Sequence, residues 1–315
     1  MGILCQVGNT SIGTYALGQR IITLQTKSEH CEHGFLFQTL LGPKMQRKID
    51  VRGTGSTAKG IKSRLFVKIP MSAPTLTEQR KIAGFLGAVD EKITQLSRKR
   101  VLLEDYKKGC MQQLFSQKIR FKDDEGKDFP DWEEKKLGEV ANIVGGGTPN
   151  SEQDEYWGGE IPWFTPTEMK SKYVTDSVRT ISASGLKKSS AKLLPIGTIL
   201  VSTRATVGDL SIAKKECCTN QGFQSLIVKD ENHNEFWYYW MVANKKELLR
   251  RASGSTFLEI NKSEIAKIPA QRPHPDEQRK IADFLSALDR KIDLVGQEIT
   301  HASSFKAGLF QQMFV

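Results

Sequence analysis

The feature that most constrains this chain is that it repeats itself. Residues 78–93 read EQRKIAGFLGAVDEKI and residues 277–292 read EQRKIADFLSALDRKI, identical at 12 of 16 positions at an offset of 199. The same offset, without a gap, pairs Arg52-Gly53-Thr54-Gly55-Ser56-Thr57 with Arg251-Ala252-Ser253-Gly254-Ser255-Thr256, and Lys68-Ile69-Pro70 with Lys267-Ile268-Pro269. It also pairs Gln112-Gln113 with Gln311-Gln312, and nearer the N-terminus it slips to about 195, setting Gly2 on Gly197 and Ile12-Gly13 on Val207-Gly208. A fixed long period means that one structural unit is built twice. Two units of 199 would exceed the 315 residues by 83, so the chain is expected to hold one and a half repeats. The expected order is the back half of a first domain (1–76), a helix (77–116), a complete second domain (117–275) and a second helix (276–315).

The helices follow from periodicity. Ile82, Leu86, Val89, Ile93, Leu96, Leu103, Cys110 and Leu114 fall on alternating four- and three-residue steps, completed by Arg100 and Lys107. The second copy places Ile281, Leu285, Leu288, Ile292, Val295, Ile299, Ala302, Leu309 and Met313 on the same steps. Such a heptad seam predicts long helices that associate as a coiled coil. Thr77 and Asp276, each with proline a short way upstream, are the expected N-caps. About 38 residues at 1.5 Å each make a rod of roughly 57 Å. Charges in the seam at Arg100, Lys107 and Lys306 give up stability and either fix register or offer an outward face. A hairpin that only holds domains together is the plainer reading; a rod that sets a distance between them is the fuller one.

The region 133–275 reads as mixed α/β, with strand-like runs at Thr198 to Thr203, Leu210 to Ala213 and Ser225 to Val228 between Gly, Pro and Asn turns. Phe236 to Leu249 reads as a helix whose Phe236, Trp237, Trp240 and Leu248 face the core, with base stacking on its aromatics as the alternative. The turn Gly145-Gly146-Gly147-Thr148-Pro149 lacks the Gly-Lys-Ser/Thr of a phosphate loop. Pro130-Asp131 followed by Glu133-Glu134-Lys135 has the parts of a nuclease signature, but they are jammed into six residues, where one strand cannot present both of its carboxylates to a single ion. His30-Cys31-Glu32-His33 holds metal-capable side chains without Cys-x-x-Cys spacing and reads as a solvated turn. Five cysteines without framework spacing argue against structural disulfides. No apolar stretch approaches the ~20 residues of a membrane span, and the N-terminus lacks the pattern of a secretory signal. The expected setting is the cytoplasm.

Charge suggests a partner. The chain carries a formal +10; residues 1–76 hold ten Lys+Arg against three Asp+Glu, whereas residues 133–275 hold nineteen against seventeen. Within the second domain the cations cluster at Lys187, Lys188, Lys192, Arg204, Lys214 and Lys215, and again at Lys245, Lys246, Arg250 and Arg251. Such clusters suit a phosphate backbone, and they equally suit a solvated face. Loops such as Thr219-Asn220-Gln221 and Gly254-Ser255-Thr256 carry the donors and acceptors that base edges require, or ordinary turn chemistry. Neither a methyltransferase motif nor a methyl-donor loop is present, so the chain reads as non-catalytic.

The repeated Glu78-Gln79-Arg80-Lys81-Ile82-Ala83 and Glu277-Gln278-Arg279-Lys280-Ile281-Ala282, each heading a long helix, resemble the conserved regions of type I restriction-modification specificity (S) subunits. Between them Gly146-Gly147-Thr148-Pro149, Tyr156 to Trp163, Ser189 to Leu193, Arg204-Ala205-Thr206-Val207-Gly208, Asn220 to Phe223 and Gly254 to Phe257 resemble the running motifs of a target recognition domain. The resemblance covers essentially the whole chain. It implies mixed α/β target recognition domains, related by a pseudo-twofold repeat and joined by an antiparallel coiled coil of long helices. It also implies that each such domain reads half of a split site in double-stranded DNA. Methyltransferase (M) subunits would dock along the helices and restriction (R) subunits would join them. S-adenosylmethionine, ATP and magnesium would belong to those partners and no cofactor or metal to this chain.

Recognition residues vary within that family, so the sites are expectations from residue chemistry. Lys187, Lys188, Arg204 and Arg251 are the expected phosphate contacts. Thr148, Thr206, Gln221, Ser255 and Thr256 are the expected base-edge or loop contacts. Gly147, Pro162 and Gly208 should shape turns, and Arg80, Arg98, Arg279 and Arg290 should meet the methyltransferase. The sequence departs from the family pattern in having no first-copy counterpart of Gly146 to Pro162. Three functions remain open on the sequence: a working truncated S subunit that pairs with a second copy through its helices, a silent or recombination-cassette fragment, and a scaffold with no DNA role.

Overall fold

The computed structural model describes residues 21–55, 60–204, 206–254 and 258–314. The chain divides into two compact units, residues 1–104 with 291–315, and residues 105–290. The division cuts both long helices, so each unit contains a stretch of each.

In the first unit α1 (His33–Leu41) begins where the Glu32 carboxylate accepts the Phe35 amide at 2.6 Å. It is followed by α2 (Pro43–Arg52), α3 (Ser63–Phe66) and the start of α4 (Leu76–Phe115). Phe35, Ile82, Leu86 and Phe310 form the core here. The second unit holds the remainder of α4, a domain with ten strands among the described residues, and the start of α10 (Pro275–Met313). Its main sheet runs in the order β2 (Ala141–Gly145), β9 (Gln224–Val228), β6 (Ile199–Val201), β7 (Leu210–Ala213), β4 (Tyr173–Val174). Every residue of β6 and β7 is buried, including Ser211, whose hydroxyl donates to the Ser171 carbonyl at 2.6 Å. A second sheet sets β5 (Arg179–Ile181), β3 (Trp157–Phe164) and β8 (Cys218–Thr219) side by side. A third pairs β1 (Glu133–Lys136) with β10 (Pro269–Arg272), and the single turn of α5 (Leu137–Val140) leads from β1 into β2. Pro162 sits inside β3 opposite Thr180, not in the turn expected from the sequence. Glu133 and Glu134 are consecutive in β1 and so point to opposite faces.

The expected helix Phe236 to Leu249 is two helices, α7 (Asn234–Ala243) and α8 (Lys245–Arg251), broken where Asn244 leaves helical geometry at ψ 20°. Phe236, Trp237, Trp240 and Leu248 are all buried in the main core with Leu226, Ile281 and Leu285. Between α8 and β10 lies α9 (Lys262–Ala266), capped by the Asn261 side chain. Cys31, Cys110, Cys217 and Cys218 are free thiols, and burial pushes the Cys217 and Cys218 thiols up to about 12 and about 11. Among the described residues no helix is long and apolar enough to cross a membrane.

Of the predicted seam, Ile82, Leu86, Leu96, Cys110, Leu114, Ile281, Leu285, Leu288 and Val295 are buried and Val89, Ile93, Leu103, Ile292, Ile299, Ala302, Leu309 and Met313 half-buried, while Met111, Ala282, Ser286 and Phe310 are buried off the seam. Within the first unit Lys306 pairs with Asp90 while Arg100 runs past Gly296, so the two helices are antiparallel. The helix starts differ from expectation by about two residues. The Thr75 hydroxyl, not that of Thr77, accepts the Glu78 amide, and α10 already begins at Pro275, just after His274. A proline has no N–H to leave unsatisfied, so it suits the first helical position and moves the cap upstream.

The repeat is visible as shared geometry. Both copies of the glutamine in the repeated block are buried and make the same two contacts. Gln79 accepts the Glu32 amide at 2.9 Å and donates to the Pro74 carbonyl at 2.8 Å; Gln278 accepts the His233 amide at 2.9 Å and donates to the Pro273 carbonyl at 2.9 Å. Since Glu32 and His233 precede α1 and α7, those two helices are counterparts, and Phe35 and Gln38 correspond to Phe236 and Tyr239. Bridges at Thr54–Gly60 and Ser253–Glu259 close the same loop in both copies, with Gly55 and Gly254 in left-handed geometry at φ 120° and 129°. That conformation is one that glycine adopts without strain.

Candidate nucleic-acid interface

Four loops of the second unit are tied together by backbone hydrogen bonds. Gly147 donates to the Thr219 carbonyl at 2.8 Å, which joins the 146–149 turn to the 219–222 turn. Thr203 donates to the Gly222 carbonyl at 2.8 Å, which adds the 202–208 turn, and Ile260 donates to the Thr203 carbonyl at 3.2 Å. Arg204 forms a bridge with Glu259, which brings in the 253–259 loop. Close approach explains the glycines of the first turn: a Cβ on Gly146 would lie 2.0 Å from the Asn220 carbonyl oxygen, and one on Gly147 would lie 2.4 Å from the Ser190 backbone. Two tryptophan N–H groups brace this turn, Trp163 donating to the Gly147 carbonyl at 2.9 Å and Trp157 to the Asn150 carbonyl at 3.1 Å.

On this frame the Thr148 hydroxyl donates to the Gln221 side-chain oxygen at 2.5 Å, so two residues 73 positions apart sit together, Gln221 exposed and Thr148 half-buried. The Arg204 guanidinium makes a forked contact with the Glu259 carboxylate at 2.7 and 2.8 Å, half of the arginine side chain remaining in solvent. Thr206 lies on the same turn with its hydroxyl 3.0 Å from that of Ser202. Lys187 ends α6 (Ala183–Lys187) and Lys188 follows it, close to the Ser190 backbone that covers Gly147. Both lysines are exposed, and among the described residues neither has an acid partner. The structure therefore collects Thr148, Gln221, Arg204 and Thr206 on one patch with Lys187 and Lys188 beside it. Ser255 and Thr256 lie outside the described residues.

Arg251 stands apart. Its side chain is 23% exposed, with the guanidinium 3.6 Å from Glu264 and 3.9 Å from Glu247, so it faces acids of α8 and α9. The remaining basic residues are largely paired too: Lys215 with Asp176, Lys245 with Asp209 and Arg250 with Glu247, while Lys214 lies over the Tyr173 ring. Sequence reasoning missed Arg179, an exposed cation on β5 whose guanidinium carbon stacks 3.6 Å from the Trp157 ring. No local spacing signals that contact, because it arises only when β5 pairs with β3.

It also missed a buried polar network. The Lys172 ammonium contacts the Glu235 carboxylate at 3.0 Å and the Tyr239 and Ser286 hydroxyls at 2.8 Å each. The Tyr239 hydroxyl reaches Asp289, which Lys107 also pairs. Burial pushes the Glu235 carboxyl up, but hydrogen bonds from Ser286, Tyr173 and Lys172 outweigh it and hold the group at about 2. This network fastens α7 and the segment before β4 to the long helices. Arg80, Arg98, Arg279 and Arg290 all lie on exposed faces of those helices.

The family profile described as type I restriction modification DNA specificity domain matches residues 6–104 and 130–302. The chain belongs to this family. The match is broken between residues 104 and 130, so one segment of it falls on each copy of the repeat. The specificity subunit of the type I restriction enzyme MjaIX from Methanocaldococcus jannaschii is 36% identical over 212 residues, 64% of this chain and 49% of that protein. The EcoR124I/EcoR124II specificity subunit from Escherichia coli is 26% identical over 230 residues, 70% of this chain and 55% of that protein. This family member thus spans about half the length of the curated relatives it matches. Its fold is shared with the type I restriction-modification system S subunit from M. genitalium, at a TM-score of 0.60 and 18% identity over 90% of this chain and 72% of that one.

Proposed function

We propose that this family member is a non-catalytic specificity subunit that reads one half of a split site in double-stranded DNA through the loop patch of its second unit. The supporting observation is that loops far apart in sequence are bonded edge to edge and present Thr148, Gln221, Arg204 and Thr206 together. An amide and hydroxyls on a braced frame suit base edges in the major groove, with cations fixing position on phosphates. The pairing of Arg204 with Glu259 fits this role, since an exposed ion pair is worth only about 0–1 kcal/mol and exchanges readily for phosphate. Lys187 and Lys188 extend the same electrostatic footprint. In this reading Arg251 acts through α8 and α9 rather than by touching DNA.

The outward helix faces with Arg80, Arg98, Arg279 and Arg290 serve as the docking surface for methyltransferase subunits, with restriction subunits joining the assembly. S-adenosylmethionine, ATP and magnesium belong to those partners, and the complex works in the cytoplasm. A second copy pairing through the helices would supply the other half-site reader, and the target would then be palindromic.

The test is co-expression with the modification subunit from the same locus, followed by mapping of adenine methylation on plasmid DNA. A discrete split motif is expected, lost in the Gln221→Ala, Arg204→Ala double variant. Arg204→Ala alone should lower the salt dependence of DNA binding by about one phosphate contact. A stable complex that methylates nothing, or no complex at all, would overturn the proposal in favour of a silent fragment.

A further inference from the structure

Of the five arginines between residues 133 and 275, four are held by acids. Arg204 meets Glu259, Arg250 meets Glu247, Arg251 meets Glu264, and Arg272 meets Glu133 and Glu231. The fifth, Arg179, is exposed, and among the described residues no carboxylate meets its guanidinium.

Arg179 is nonetheless closely placed. Its guanidinium carbon lies 3.6 Å from the centre of the Trp157 ring and 5.5 Å from that of Trp163, and the two indoles pack edge to face at 5.1 Å. Arg179 pairs with the buried Trp163 across β5 and β3, which puts both side chains on one face of that sheet. The Ser177 hydroxyl donates to the Arg179 carbonyl at 2.6 Å and accepts the Trp163 amide at 2.9 Å, so it pins the backbone of both partners. The same two indoles brace the loop patch, Trp163 through the Gly147 carbonyl and Trp157 through that of Asn150. The arginine therefore borders the turn that carries Thr148 and, through Thr148, Gln221.

A guanidinium lying on an indole has its plane fixed while the donors at its edge stay open, so little freedom is left to lose when it forks onto a pair of acceptors. A phosphate needs only a nearby charge, which Lys187 and Lys188 offer without stacking. Guanine presents O6 and N7 side by side in the major groove, and a planar fork of N–H donors matches that pair. We propose that Arg179 is a specificity-determining residue of the second unit, reading a guanine of the half-site by a bidentate contact, with Trp157 as the positioning residue that holds its plane. The inference rests on the reading of the loop patch as a DNA surface and adds to it one residue and one base.

The test uses the full chain in complex with the modification subunit. The probes are a labelled duplex bearing the motif that methylation mapping returns and duplexes with each base pair of that motif replaced in turn, and fluorescence anisotropy gives the affinity for each. Arg179→Ala is expected to weaken binding to the intact motif roughly tenfold or more and to abolish discrimination at one G·C pair, leaving the other positions discriminated. Arg179→Lys keeps the charge without the planar fork and should recover little of that discrimination. Trp157→Leu, checked for folding by circular dichroism, should loosen the same G·C pair although Arg179 is still present. Equal weakening on every duplex, with a salt slope lowered by about one and restored by Arg179→Lys, would make Arg179 a phosphate contact and overturn the proposal. Discrimination unchanged by Arg179→Ala at every position would overturn it as well, while the loop patch would keep its role. If the unaltered complex itself prefers no duplex, the reading of the loop patch fails and the role of Arg179 falls with it.

Discussion

The helices α4 and α10 carry the same six-residue block at their starts, yet Glu277 is sealed from solvent and Glu78 stands open to it. Local sequence sets the helix and the glutamine contact to the preceding carbonyl, and both recur in the two copies. What differs is what packs on top: residues 117–136 cover the start of α10, and no described segment covers the start of α4. A residue repeated for one role thus acquires its energy only where its partners are present. Replacing Glu277 with alanine should therefore be the most damaging single substitution in either copy of the block. It leaves the Arg120 charge and the Trp132 N–H without their acceptor, a loss of about 3–5 kcal/mol by the usual cost of breaking a buried pair. Glu78→Ala should stay within about 0.5 kcal/mol, as an exposed substitution does. Urea denaturation of the two variants would decide; equal losses would mean that the two environments are not as different as the structure has them.

The parts of the molecule that are legible in the sequence are those in which one residue's environment depends on near neighbours. The heptad seam is readable because its period repeats within a single helix, and the loop patch is readable in part because Arg204, Gln221 and the 253–259 loop each carry their own turn chemistry. Sheet order is not, since β2 next to β9 and β4 next to β7 are decided by packing across the whole domain. Nor is the Glu277 socket, whose three groups come from positions 120, 132 and 277. Arg251 resembles Arg204 in the sequence, and only the face of α8 on which it falls turns it toward Glu247 and Glu264. Pro162 reads as a turn residue because proline usually is one, but it lies within β3, opposite Thr180 of β5.

Acid separates the units more gently. Glu235, held at about 2, is ordinarily near 4.5, so it binds fewer protons in the folded than in the unfolded state. Its contribution is then fully present above about pH 4.5 and lost as pH falls toward 2. At the counterpart position in α1 the residue is Gly34, which has no such contribution to lose. Hydrogen exchange between about pH 5 and about pH 2.5 should show α7 losing protection ahead of α1, by about 1–2 kcal/mol once partial exposure of Glu235 is allowed for. Glu235→Gln should flatten that dependence. A flat profile for α7 in the unchanged protein would count against the network around Lys172.

The smallest effect is expected where the two units agree. Lys107 pairs with Asp289 in one and Lys306 with Asp90 in the other, and these are the same two repeat positions with their partners exchanged. Each aspartate also keeps a second contact, from the Tyr239 hydroxyl in one unit and from the Gln38 amide at 2.7 Å in the other. Removing either lysine therefore leaves no carboxylate wholly without a donor. Lys107→Met and Lys306→Met should each cost about 1 kcal/mol, nearer to an exposed ion pair than to a sealed one. The pairs share no partner, so the double variant should equal the sum within about 0.5 kcal/mol. A clearly larger cost for Lys107→Met would place it inside the Lys172–Glu235–Asp289 network as a cooperative member, and the two ends of the seam would then be equivalent in sequence alone.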